Sequence, residues 1–192
     1  MIATASRALE VLLEWVVILL MVVLTAVVVV AVVVRFAGNS FSWYDEVASV
    51  LLAWITYYGA GLAALKRKHI GFDGVLLSLP MPVRLYAAYV AEAVTIAFFV
   101  LMAWAGFEVL TVLEGMSLTS LTWVPVQLTQ SVIPIGALLF ILCSLLSLPA
   151  YLDMVTRGES AEHAEIEAEI AEAEKTFGTG RDTGPGSERE GR

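Results

Sequence analysis

Residues 15–34 read WVVILLMVVLTAVVVVAVVV, twenty positions from Trp15 to Val34 without a single charge. At about 1.5 Å of rise per helical residue, such a run matches the roughly 30 Å hydrocarbon core of a bilayer. A cleaved signal peptide is a poor alternative, because its apolar region is about 7 to 15 residues long. The stretch therefore reads as a retained membrane span, and it sets the terms for the rest of the chain. Of the 192 residues, 59% are hydrophobic and 16% charged, against about 25% charged residues in an average soluble domain.

Three further apolar segments follow the first one, Leu9 to Val34: Tyr44 to Leu65, Leu85 to Leu113 and Val124 to Pro149. Backbone polar groups in lipid must be satisfied within the segment, so long spans with no alternating polar pattern are helical. The expected fold class is all-α, an integral membrane protein of four transmembrane helices. Trp15, Trp43, Tyr44, Tyr86, Trp123 and Tyr151 lie near segment ends, where amphipathic rings favour the headgroup layer.

The connection between spans two and three carries Lys66, Arg67, Lys68 and Arg84, and the connection between spans three and four carries no Lys or Arg. The positive-inside bias places the basic connection in the cytoplasm, and four spans then put both termini there as well. Arg7 and Arg157 agree with that orientation, whereas Arg35 dissents. Two regions are expected: a transmembrane domain over residues 1–156 and an acidic cytoplasmic tail over 157–192, partly helical or disordered. The tail holds ten acids and five bases within a net charge of −8 for the chain. Its Ala161 to Lys175 stretch suits a solvated helix, and the Gly-rich end suits disorder. Gly71 to Pro82 is expected to form a short interfacial turn.

Ionisable groups inside a span are costly and are functional candidates by default. Arg7, Glu10 and Glu14 share one helical stripe and are expected to pair with one another near the interface. Ala93 to Phe107 is too short to cross without including Glu92 or Glu108, so at least one carboxylate is embedded. For Glu92 two roles stand open, a proton-binding carboxylate or a bond to a neighbouring helix; the second is favoured because a relay needs several facing groups. Small residues around Gly59 and Gly61 suit a close helix contact. Pro134 is expected to kink the last span and Gln130 to bond across to a neighbour.

No basic stripe interleaved with aromatics points to nucleic acid. No nucleophile, base and orienting group converge on one face, so the chain is not expected to be an enzyme. The histidines are His69 in a loop and His163 in the tail, so no span supplies the paired histidines of a haem-binding membrane anchor. The single cysteine, Cys143, reads as a small packing residue, with no disulfide.

Arg35 closes span one, and SWYDEV (42–47) opens span two after a short outer hairpin. Asp45 and Glu46 suit the positive end of that helix, within reach of Arg35, and the three are expected to form an outer-side clasp. The order of features is more specific than the pair: Arg35, Trp43-Tyr44-Asp45-Glu46, Trp54, Gly59-Ala60-Gly61, then Lys66 to Asp73 as KRKHIGFD, and later VIPIG over 132–136. This sequence resembles the small membrane subunit of tripartite ATP-independent periplasmic (TRAP) transporters, the DctQ-like family, over about residues 9–150. One departure is Asp45, where the family more often has Glu.

The resemblance implies a secondary transporter of three parts in the bacterial inner membrane, taking up organic acids. The partners would be a large membrane subunit, which holds the substrate and sodium sites, and a periplasmic binding protein. This chain, in contact with lipid, would brace the large subunit and need no cofactor or substrate site of its own. Arg35, Trp43, Asp45, Glu46, Trp54, Gly59, Gly61, Glu92 and Pro134 are its expected structural or interface residues. His69 and Asp73 either order the cytoplasmic loop beside the headgroups or form a solvated pair. The alternative is an autonomous four-helix proton-coupled exporter, but Glu14 beside Trp15 is shallow for that role and the Trp43 to Asp73 pattern would go unexplained.

Overall fold

The computed structural model describes residues 2–67 and 79–157, with positions 170, 171 and 173. Among the residues 2–67 and 79–157 five helices run in chain order: α1 (Ile2–Phe36), α2 (Tyr44–Leu65), α3 (Met81–Val112), α4 (Val126–Gln130) and α5 (Val132–Arg157). Four helical segments are long and apolar enough to cross a membrane, with α4 and α5 together making the fourth. The all-α, four-span reading holds, and α2 coincides with the expected second span. His69, Asp73 and most of the expected Gly71 to Pro82 turn lie outside the described residues. So does most of the acidic tail, where positions 170, 171 and 173 are helical.

By their main contacts the helices line up as a row, α1, α2, α5, α3, and α1 also reaches α5, where Leu13 joins Ala64, Phe140 and Cys143 in one buried cluster. The most apolar stretch of the fourth span is 44% buried, against 6% in the first and 11% in the second and third, so α5 is the helix the others cover. Most of the large apolar surface of α1 and α3 therefore faces outward, including Leu12, Trp15, Leu19, Val33, Phe98, Leu101 and Trp104. In water that would be untenable, whereas against lipid tails it is the expected state.

The interior is small and specific. Phe99 of α3 stacks on Phe140 of α5, centroids 3.7 Å apart, next to fully buried Cys143. Gly61 faces α5, where a Cβ would lie 3.3 Å from Leu139. Gly59 meets no atom within 4 Å, so the expected contact uses Gly61 and not Gly59. Gly136 fits against Tyr57 and Gly106 against Pro134, each letting two helices approach where any side chain would intrude.

Helix ends explain the connections. Gly38, at φ 87°, closes α1: Gly38 N–H donates to the Arg35 carbonyl and Asn39 N–H to that of Val34, the pairing of a Schellman cap. The interruption of the last span falls at Ser131, between α4 and α5, and not at Pro134 itself. Pro134 has no N–H to offer the Gln130 carbonyl, and its ring crowds that carbonyl, so the break appears one turn earlier. Ile135 N–H reaches back to the Ser131 carbonyl and restarts the ladder.

Candidate functional site: the tied end of the helix row

α2 ends at Leu65, and the two residues that follow it bind the other three spans. Lys66 caps the helix, its N–H on the Leu62 carbonyl. Its ammonium pairs with both carboxylates of α1, Glu14 directly and Glu10 at 3.3 Å. The hydrogen bond that Lys66 donates to Glu14 raises the Lys66 pKa above 10.5, with burial opposing it. Arg7 is exposed; the expected pairing within α1 gives way to one between helices, because Lys66 sits above both glutamates at once.

Arg67 turns the other way. Its backbone is left-handed, φ 52°, a conformation usually taken by glycine just past a helix end. The turn sends the side chain across the row. Nη1 and Nη2 donate to the two Glu92 oxygens of α3 at 2.8 and 3.1 Å. Nη2 also donates to the Ser144 carbonyl of α5 at 3.0 Å, and Nε to Ser147 Oγ at 2.8 Å. The guanidinium lies 4.5 Å from the centre of the Tyr151 ring. Ser144 Oγ donates to Glu92, and Ser147 Oγ to the Ala64 carbonyl of α2.

Glu92 is 9% exposed, so it is the embedded carboxylate the sequence requires, and it bonds neighbouring helices as favoured. Forked Arg to carboxylate pairing is the strong, directional form of ion pair, and Ser144 and Ser147 satisfy the remaining groups that burial would otherwise leave unpaired. Glu108 is exposed. Lys66 and Arg67 together thus tie all four spans at one end. The sequence places both in the basic connection and in the KRKHIGFD run but gives neither a partner in another helix.

The opposite end has a different tie. The expected clasp of Arg35 on Asp45 and Glu46 is not formed: Arg35 is exposed and has no carboxylate partner among the described residues. Glu46 instead accepts the backbone N–H groups of Thr119 at 3.1 Å and Ser120 at 2.9 Å. Ser120 Oγ donates to the Ser42 carbonyl. The loop after α3 turns at Gly115, φ 81°, and a bridge from Ser117 to Pro125 closes it. Its free amides are thus aimed at α2, and two such donors suit a carboxylate better than one distant guanidinium does.

Trp54 Nε1 donates to the Thr129 carbonyl at 3.3 Å, tying α2 to α4. Trp43 precedes α2 and lies 5.3 Å from Phe41, ring to ring. Gln127, not the expected Gln130, bonds across, its Nε2 on the Leu110 carbonyl. Among the described residues no group of three or more His, Cys, Asp or Glu side chains converges that could hold a metal ion.

No curated protein matches the chain. The sequence does match the model of the family described as tripartite ATP-independent periplasmic transporters, DctQ component, over residues 24–149. That range takes in the second end of α1, the tie at Lys66 and Arg67, the Glu46 cap and the Gly106 and Gly136 contacts. The match covers well over half of the sequence, and the chain belongs to the DctQ family, the small membrane component of TRAP transporters.

Proposed function

We propose that this chain is the fixed frame of a three-part secondary transporter. In this reading it braces a large membrane subunit that holds the substrate and sodium sites. It works with a periplasmic binding protein in organic-acid uptake across the bacterial inner membrane. The observation that carries the reading is the tie at Lys66 and Arg67: two adjacent residues bond α1, α3 and α5 to α2. A frame needs helices fixed against one another. A path for protons or ions needs facing ionisable groups along the membrane, and the described carboxylates are spent on helix ties or lie at the ends.

Lys66, Arg67, Arg84 and Arg157 gather at one end of the row, which supports a cytoplasmic placement of that end and of both termini. The exposed apolar side chains of α1 and α3 offer a broad face to a large partner as well as to lipid.

The test is reconstitution. The large subunit and the binding protein, with and without this chain, are placed in proteoliposomes under a sodium gradient and assayed with a panel of labelled organic acids. Uptake should require the chain, and the chain should copurify with the large subunit. Equal uptake without it, or transport by the chain alone, would overturn the proposal.

A further inference from the structure

Apolar side chains give membrane helices little reason to stay together, because the surrounding lipid is as apolar as they are. The contacts that keep α3 in the row are therefore specific ones, and they are unevenly placed. Its outer half is fixed by several: Phe99 on Phe140, Met102 with the Tyr57 hydroxyl, Gly106 against Pro134, and the Leu110 carbonyl with Gln127. Its inner half has Glu92. Further in, Arg84 Nη2 reaches the Thr156 carbonyl at 3.5 Å, and Arg84 Nε is buried with no partner, so this contact is a weak anchor.

Seven residues, about 10 Å of helix, separate Glu92 from Phe99, the nearest of those contacts. Among the described residues the Glu92 cluster is thus the strongest bonded contact of this half of α3. It is closed, moreover, against the left-handed backbone of Arg67, a conformation that costs energy for any residue with a side chain and persists where the surroundings over-determine it.

We propose that Arg67 and Glu92 form a latch that seats the inner half of α3 in the row. With the latch open, that half swings out about the Phe99 and Phe140 contact while α1, α2 and α5 stay assembled. The movement reorients the exposed face carrying Tyr86, Tyr89 and Val94, so the latch sets which surface the chain presents on that side. This holds for the chain itself, whichever partner it supports.

Two thiols test it in the full chain in native membranes. Cys143 is fully buried on α5 next to Gly61 of α2 and reports the α2 to α5 contact. Ala88, 1% exposed, reports the inner half of α3 as Ala88→Cys. With the latch intact, a membrane-permeant maleimide should label neither. Arg67→Gln or Glu92→Gln leaves one charge buried and unpaired, and labelling at position 88 should rise on the order of a hundredfold while Cys143 stays protected. The double variant Arg67→Gln/Glu92→Gln leaves no charge buried and unpaired but also no ion pair, so position 88 should label as in the single variants, which separates loss of the latch from the penalty of a buried charge. The latch is overturned if position 88 stays protected in the double variant or in both single variants, or if Cys143 becomes reactive in parallel.

Discussion

Gly59 and Gly136 offer a controlled comparison, since both lie inside helices and differ in what stands opposite. A Cβ on Gly136 would sit 2.6 Å from Tyr57 Cβ and 2.7 Å from Cδ1, whereas one on Gly59 meets nothing within 4 Å. Carbon atoms pack at about 3.5 to 4.0 Å, so Gly136→Ala forces α5 and α2 apart by roughly 1 Å. Tyr57 cannot yield by rotating, because the nearest atom is its own Cβ. Overpacking of this kind costs about 1–3 kcal/mol. Both variants gain the same helix propensity, about 1 kcal/mol for Gly to Ala, so their difference isolates the clash. At about 2–4 °C per kcal/mol for a chain of this size, Gly136→Ala should melt roughly 5 °C below Gly59→Ala. Tryptophan-fluorescence melting of the detergent-purified proteins measures this. Equal melting temperatures would refute the close approach of α2 and α5 at Gly136.

Other perturbations follow from the ties at the two ends. Arg67→Gly relieves a left-handed turn worth about 1–2 kcal/mol but leaves Glu92 without its cation, a loss of about 3–5 kcal/mol; a net fall in melting temperature is expected, and a rise would show that the turn matters more than the side chain. Lys66 has a raised pKa, so its pairing with Glu10 and Glu14 stabilises fully below pH 10.5 and is lost as pH rises through the higher folded value. Lys66→Met should therefore flatten the alkaline fall in stability above pH 10.5, and identical curves would count against the pairing. Glu46→Gln keeps one acceptor and turns an amide toward a backbone N–H, so amide exchange at Thr119 and Ser120 should quicken while the core is unaffected; unchanged exchange at both positions would refute the cap.

The fold was legible because lipid imposes strong rules: length and apolarity alone locate four spans, and the first turn of α2 is marked by Asp45 and Glu46. The ties were less so. Arg35 and Glu46 looked complementary in sequence because the hairpin between them is short, yet Glu46 is engaged by amides more than seventy residues away, which no local pattern announces. Glu10 and Glu14 lie on one stripe with Arg7, and local spacing suggests a partner on the same helix; the row supplies Lys66 instead. Gly59 and Gly61 are indistinguishable by type, and their roles separate only once the face that meets α5 is known.

Glu92 did carry a usable signal. A carboxylate forced into a span needs a cation at the same depth, and the bases beside the spans at that end were Arg7, Lys66, Arg67, Lys68, Arg84 and Arg157. What sequence lacked was the left-handed turn that points Arg67 inward, since glycine, not arginine, is the usual sign of such a turn. A side chain retained where glycine would be easier implies that the side chain is needed, and here it reaches two other helices. The residue that breaks the local preference is thus the one that organises the row, and its cost in backbone strain is smaller than the loss its removal would bring.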